Sequence, residues 1–334
     1  ARFLQLAQNQ GVQGLVLARL HGLGRDRGKG AFFPESVLTP FPLLKRQAVF
    51  WEVEQGRVLT HLAGRGFDAL LLKGGALRHT VYGSPVERPM ADLDLLTSLE
   101  GVPGMLEALA ELGYGSKYPE GAQAGFREHH YHERVTHSNG FEVEVHWGLT
   151  RPSSPFQLDP DSFLGRGESR ELRPGLSVRV PSPEDMALHL VSQSEHARVR
   201  KLSRIVDLDR VITYSEGFDW EYFLAKAREG RLSTVAAVTL RLANLLLGTP
   251  APSVFLEGRE VPWISRKNLE ILRPLRRLMG TSEKGRWADN NLFRCWCLPT
   301  WRLRGQALLE LASGAGDPLL WVWDEKDACL LYTS

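Results

Sequence analysis

Over the first 66 positions apolar residues recur at helical spacing. Phe3, Leu4 and Ala7, then Val12, Leu15, Val16 and Ala18, fall near one face. Gly22–Pro42 is rich in Gly, Pro and charge and reads as loop. Leu44, Ala48, Trp51, Gln55, Val58 and Leu62 then mark one face of a long helix, which Gly64 and Gly66 end. Only Gln55 breaks its apolar stripe. From 67 to 180 the period changes. Asp68–Leu72 is a short apolar run that reads as a buried strand. Gly74 and Gly75 break it, and Ala76–Tyr82 follows as a short helix. Gly83–Pro89 is loop, Asp92–Thr97 alternates as a strand, and Pro103–Leu112 is a helix stopped by Gly113. A glycine-rich loop leads to a strand over His129–Thr136. Ser138-Asn139-Gly140 then turns the chain into a returning strand, Glu142–Trp147.

Residues 181–334 read as mostly helical. Ser182-Pro183-Glu184-Asp185 is a helix start, with a hydroxyl cap, proline in the first turn and two acids. Val206–Ile212, Trp220–Ala227 and Val235–Leu247 are further helices. Three regions follow: a helical segment over 1–66 packing on the core, a core over 67–180 and a helical domain over 181–334. A length of 334 residues is consistent with about two domains.

Composition narrows little. Apolar content of 43% and charged content of 24% are those of an ordinary globular chain, and a net charge of +2 implies no polyanion or membrane surface as partner. Cys295, Cys297 and Cys329 cannot build a disulfide framework, so a reduced, cytoplasmic protein is expected. The most apolar stretch, Val235–Leu247, carries Arg241 and Asn244 and is too short to span a bilayer. The first residues lack the basic start and unbroken apolar run of a signal peptide.

The candidate chemistry lies in the middle region. Side chains of a strand alternate between faces. Asp92 and Asp94 therefore share one face, and Glu142, Glu144 and His146 share another. If the two strands are neighbours, their carboxylates converge and repel unless a cation sits between them. Hard oxygen ligands of this kind suit Mg2+ or Mn2+, and two such ions can clamp an in-line phosphoryl displacement. Gly74 and Gly75 stand between a strand and a helix, where bare backbone N–H groups can cradle phosphate. Lys73 and Arg88 flank that helix as cations for triphosphate oxygens, Arg88 in bidentate fashion. His129, His130 and His132 match no zinc spacing and read as surface or hairpin residues, while His146 lies on the carboxylate face. Trp263–Arg304 holds ten Lys or Arg against three acids, interleaved with Trp263, Trp287, Trp296 and Trp301. Such a stretch can grip RNA, although solvated helix faces around a tryptophan core give the same composition.

Together LLLKGGAL with Tyr82, Arg88-Pro89, ADLDLL and EVEVHW resemble the nucleotidyltransferase superfamily. More narrowly, the chain resembles the bacterial family called uncharacterised nucleotidyltransferases. PSPEDMALHLVSQSEHARVRKLSRIVDLDRVI and Asp219-Trp220 extend the likeness over roughly residues 1–250. The resemblance implies an α+β fold, a small mixed sheet of the DNA polymerase beta-like kind with flanking helices. It places Gly74, Gly75, Asp92, Asp94 and Glu144 on catalytic positions, with Glu144 preferred to Glu142 as the third acid. The serine frequent in the superfamily's turn is here Gly75. Lys73 is typical of the narrower family and of toxin-like members that act on tRNA.

The expectation is metal-dependent transfer of a nucleoside monophosphate from an NTP such as ATP to an unidentified acceptor, with release of pyrophosphate. Asp92, Asp94 and Glu144 would hold the metal, and Lys73, Gly74, Gly75 and Arg88 the nucleotide. His146 and His196 would lie toward the acceptor, a small molecule, protein or RNA. His189, Glu195 and Arg200 share the helix of His196. The alternatives are a toxin-like enzyme acting on tRNA and an inactive nucleotide-binding module.

Overall fold

The structure is a computed structural model that describes residues 2–26, 38–116, 130–152, 154–197 and 201–256. The basic, tryptophan-rich stretch, the three cysteines, His129 and Arg200 lie outside the described residues, as do the side chains of Glu195 and His196. The fold is α+β: seven strands form one mixed sheet, flanked by helices.

In chain order the elements are α1 (Arg2–Asn9), α2 (Gln13–Asp26), α3 (Phe41–Gly64), β1 (Leu70–Leu71), α4 (Lys73–Thr80) and β2 (Leu93–Leu96). Then come α5 (Val102–Glu111), β3 (Tyr114–Ser116), β4 (His132–His137), β5 (Glu142–His146), α6 (Pro160–Arg166), β6 (Glu168–Arg173) and β7 (Leu176–Val180). The last are α7 (Pro183–Ala197), α8 (Leu202–Tyr214), α9 (Trp220–Glu229), α10 (Ser233–Leu247) and α11 (Ser253–Leu256). A single 3-10 turn, Leu99–Gly101, precedes α5.

The strand order is β3-β4-β5-β2-β1-β7-β6. β2 runs parallel to β5 and antiparallel to β1, and β1 runs parallel to β7. In this register Asp94 stands directly beside Glu144, and Leu96 beside His146. The hairpin of β4 and β5 turns at Asn139-Gly140, where Gly140 takes φ +85° and His137 N–H donates to Phe141 O at 2.9 Å. That turn sets Arg134 opposite Glu144 and His132 opposite His146.

One face of the sheet is apolar. Leu71, Leu93, Leu95, Val143 and Val145 are fully buried there, under α3, α4 and α5. Trp51 of α3 stacks on Phe141 with ring centroids 4.4 Å apart. Gln55, the polar break in the α3 stripe, is 2% exposed and donates from Nε2 to Gly75 O at 3.2 Å. It is therefore part of the buried face, satisfying a carbonyl that packing removes from water.

The other face is polar but not solvated. Asp94 is 2%, Glu144 5% and His146 1% exposed. The C-terminal helices close over this side. Ser182 caps α7 reciprocally: Asp185 N–H donates to its Oγ at 3.3 Å and that Oγ–H donates back to Asp185 Oδ2 at 3.1 Å. The buried Asp185 also accepts from Tyr222 Oη at 2.9 Å and Arg166 Nε at 3.1 Å, tying α6 and α9 to α7. Helix α10 is buried through most of its length and ends at Gly248, which takes φ +78°.

Several elements differ from the sequence reading. Helix α4 starts at Lys73 rather than Ala76, so both glycines lie in its first turn. The β6–β7 hairpin, α6 and β3 were not anticipated; the outward positions of β6 are all charged or polar, so it carries no alternation to read.

Gly75 faces the apolar layer: a Cβ there would lie 2.7 Å from Leu71 Cδ1 and 3.1 Å from Leu93 Cδ1. A serine side chain at this position would point into leucines, not toward a phosphate. Overpacking costs about 1–3 kcal/mol, against about 1 kcal/mol of helix propensity gained. Gly75→Ala is expected to lower stability by up to about 2 kcal/mol on balance. Urea midpoints of the two proteins check this, and an unchanged or raised midpoint would show that the leucines give way.

Candidate active site

Asp92 ends the loop before β2, Asp94 lies within β2, and Glu144 is its neighbour on β5. The strand pairing alone brings Asp94 and Glu144 together, and alternation places Asp92 on the same side. One oxygen from each of the three carboxylates falls within 4.8 Å of the others. Glu142 is not in this group; it faces Arg134 Nη1 at 3.6 Å and Thr136 Oγ1 at 3.5 Å.

Cations press on the cluster from both sides. Lys73 Nζ lies 2.5 Å from Asp94 Oδ1 and 4.0 Å from Glu144 Oε2. Arg134 reaches Glu144 Oε1 with Nη2 at 2.6 Å and Nε at 3.1 Å. His146 Nε2 sits between the acids, 3.0 Å from Asp94 Oδ1 and 3.3 Å from Glu144 Oε2. Lys73 takes φ +44°, unusual for a residue with a side chain, at the point where β1 becomes α4. That backbone directs its side chain back over the strand ends, onto Asp94.

The protonation pattern follows from this crowding. Burial, then the charge of Asp94, pushes the Asp92 carboxyl up to about 6. Burial acts the same way on Asp94, but Lys73 and the His146 hydrogen bond overcome it and hold the carboxyl below its ordinary value. Glu144 is likewise held low against burial, by His146, His132 and Lys73. Burial opposes the charge on His146, yet its bonds to Asp94 and Glu144 raise it. His132 is pushed down to about 3 by burial and by His146. Asp92 thus carries the charge that no protein cation fully balances.

A cleft of about 510 Å³ opens in front of the carboxylates. Lys73, Gly74, Arg88, Asp92 and Asp94 form one wall, and Gln8 and Gln13 of the N-terminal helices form another. Gln47 of α3 and Gln193, Lys201, Ser203 and Arg204 complete it. Gly74, unlike Gly75, faces the cleft side: a Cβ there would lie 3.2 Å from Met90 Cγ and 3.8 Å from Arg88 Nη1. The first N–H groups of a helix have no partner within it, so the start of α4 presents donors where anions are favoured.

A model of the family described as uncharacterised nucleotidyltransferase matches residues 1–248. The chain belongs to this family. The match runs through the N-terminal helices, the sheet and the C-terminal helices as far as Gly248, so all walls of the cleft lie inside it. The comparison with curated proteins found no match. Among solved structures, the chain is similar to an antigenic nucleotidyltransferase-like protein from Paracoccidioides brasiliensis. The identity is 18% and the TM-score 0.35, over 64% of this chain and 92% of that one. Among the described residues no helix is long and apolar enough to cross a membrane.

Within this chain the sequence-derived residues separate into groups. Lys73, Gly74, Arg88, Asp92 and Asp94 line the cleft, and Glu144 is buried beside Asp94 on the neighbouring strand. Arg88 does not project freely. Its Nε donates to Asp207 at 2.8 and 3.0 Å, and its Nη1 donates to Pro89 O at 2.7 Å. His146 lies beneath the carboxylates rather than at an open acceptor surface. His189 of α7 is fully buried near Lys73 and His146, and burial, then those two neighbours, holds it well below its ordinary value.

Asp207, Arg134 and Arg204 are site residues the sequence reading passed over, and His132, read there as a surface or hairpin residue, instead lies against Glu144 and His146. Asp207 is 1% exposed, accepts from Tyr82 Oη at 2.6 Å and anchors Arg88. Its signal was an acid inside the apolar run Ile205–Ile212. Arg134 and His132 were findable by counting both strands back from the Asn139-Gly140 turn.

In the metal-free protein Asp92 gives stability a definite pH dependence. Its carboxyl titrates near 6 when folded, above its ordinary 3.8, so the folded state binds this proton more tightly. The charged form therefore costs stability above about pH 6, and the cost fades as pH falls toward about 4. With chelator present, Asp92→Asn is expected to exceed wild type by about 1–2 kcal/mol at neutral pH. That gap should close by about pH 4. Thermal melts across this range read it; a gap constant with pH would mean Asp92 is already balanced.

Proposed function

We propose that this nucleotidyltransferase moves a nucleoside monophosphate from an NTP to an acceptor hydroxyl and releases pyrophosphate, with Mg2+ or Mn2+. The observation that carries the reading is the three-carboxylate cluster, with Asp92 and Asp94 facing a cleft beside a helix start and Glu144 buried next to them. Asp92, Asp94 and Glu144 are the residues that would hold the metal. The fit rests on the donor set, all carboxylate oxygen, and on the raised Asp92, which a divalent cation would relieve. When bound, such ions stabilise charge on the attacking and leaving oxygens of an in-line displacement.

The chain's own groups complete the arrangement. The N–H groups at the start of α4, with Gly74 leaving room for them, receive phosphate oxygens. Lys73 neutralises triphosphate charge once Asp94 is engaged by metal. Arg88, held by Asp207, which Tyr82 Oη steadies in turn, presents the outer edge of its guanidinium to the cleft in one fixed orientation. His146 keeps Asp94 and Glu144 in register with each other. In the balanced step, the acceptor oxygen bonds to the α-phosphorus as the bond to the bridging α–β oxygen breaks. The hydroxyl proton leaves to a carboxylate or solvent, and pyrophosphate departs.

The test is transfer of label from each α-labelled NTP, with Mg2+, into an extract of the source cells. Asp94→Asn and Glu144→Gln are expected to reduce transfer by about a hundredfold or more, and Glu142→Gln to leave it near wild type. Label on RNA, protein or a small molecule identifies the acceptor class. Equal labelling by wild type and Asp94→Asn would overturn the assignment, and transfer lost with Glu142→Gln but kept with Glu144→Gln would reverse the two glutamates.

A further inference from the structure

Beside the carboxylate cluster, and sharing one residue with it, lies a group of different chemistry. His132, Glu144 and His146 each offer a ligand atom, and these atoms fall within 4.8 Å of one another. The strand pairing builds the group. His132 and His146 are cross-strand partners, their ring centroids are 4.9 Å apart at 34°, and Glu144 lies two residues before His146 on the same face. His132 Nε2 is 3.9 Å from Glu144 Oε1, and His146 Nε2 is 3.3 Å from Glu144 Oε2.

We propose that His132, Glu144 and His146 form a second metal site, selective for a borderline transition ion such as Zn2+ or Co2+ rather than Mg2+. The donor set decides the selectivity. Two imidazoles and one carboxylate suit first-row transition metals, whereas Mg2+ takes oxygen ligands and dehydrates reluctantly. Glu144 then belongs to both groups, and its two oxygens serve different neighbours.

Two further observations point to a ligand. Among the described residues, Nδ1 of His132 and Nδ1 of His146 are both buried with no hydrogen-bond partner. Two orphaned ring nitrogens side by side are costly as packing residues, since a buried polar atom without a partner loses its hydration for nothing. A metal on Nδ1 of either ring supplies a strong partner where the protein offers none. In addition, the rings are pinned: His146 Nε2 is held by Asp94 and Glu144 at 3.0 and 3.3 Å, which leaves its Nδ1 without a partner. His132 lies edge-on to Tyr131 with centroids 4.6 Å apart, and Tyr131 also packs on His146 at 5.7 Å. Arg134 occupies Glu144 Oε1 from both Nε and Nη2, so a metal here would take the second oxygen, Oε2.

The inference is independent of nucleotidyl transfer, because its test uses metal alone. Tag-free, chelator-stripped protein is titrated with Co2+, without nucleotide, and visible absorption is recorded. Wild type is expected to develop the d–d bands of a nitrogen-ligated ion. His132→Ala and the milder His132→Asn are expected to bind Co2+ about tenfold or more weakly. Asp92→Asn should retain the bands, since it touches only the carboxylate cluster. Thermal melts of the metal-free variants establish that each is folded, and a His132→Ala protein that fails to fold leaves His132→Asn to decide. Bands lost in Asp92→Asn but kept in folded His132 variants would overturn the proposal, placing the ion among the carboxylates. So would the absence of bands in wild type at millimolar Co2+.

Discussion

Three carboxylates crowded on one sheet face, two of them buried, are the constraint on which the rest depends. Asp92, Asp94 and Glu144 cannot all remain ionised at such separations unless cations share the space. Much of the surrounding structure answers that demand. Lys73 meets Asp94, Arg134 meets Glu144, and His146 bridges the two acids. What remains unbalanced is Asp92, nearest the cleft. A site with its charge compensated at the rear and left open at the front is arranged to receive a cation from solution. A pair of solvated strand faces would show none of this, and the burial of Asp94 and Glu144 separates the two readings.

The fold supports this arrangement by having two covered faces. Leucines and valines anchor the central strands on one side, so their register is firm, since a one-residue slip would exchange apolar and charged faces. Gly75 and Gln55 serve that side by letting α4 and α3 approach the sheet closely. Lys73 joins the two sides. Its left-handed backbone turns β1 into α4 and carries its ammonium onto Asp94. The C-terminal helices supply the remaining wall, and Asp207 is the point where α8 grips the loop carrying Arg88.

The second group, His132, Glu144 and His146, follows from the same hairpin that delivers Glu144. A strand that must present an acid at one position presents its neighbours two residues away on the same face. His146 and its cross-strand partner are therefore carried into the site by geometry. The acid-rich front and the imidazole-bearing rear then meet at one glutamate.

Much of the site was legible in local order along the chain. Alternation put Asp92 and Asp94 on one face, Asn139-Gly140 fixed a hairpin, and the glycines after Leu72 marked a strand-to-helix turn. These depend on backbone geometry within a few residues, which local sequence specifies. Pairing was decided only in three dimensions. That β2 lies beside β5, with Asp94 against Glu144, depends on contacts fifty residues apart and on which face is apolar. That Glu144 rather than Glu142 lies within reach of Asp92 and Asp94 is of the same kind, because the two share a face and alternation does not separate them. So are the opposite orientations of Gly74 and Gly75, and the capture of Arg88 by Asp207. Sequence specified which groups were available; packing decided which of them are neutralised, oriented or left exposed to the cleft.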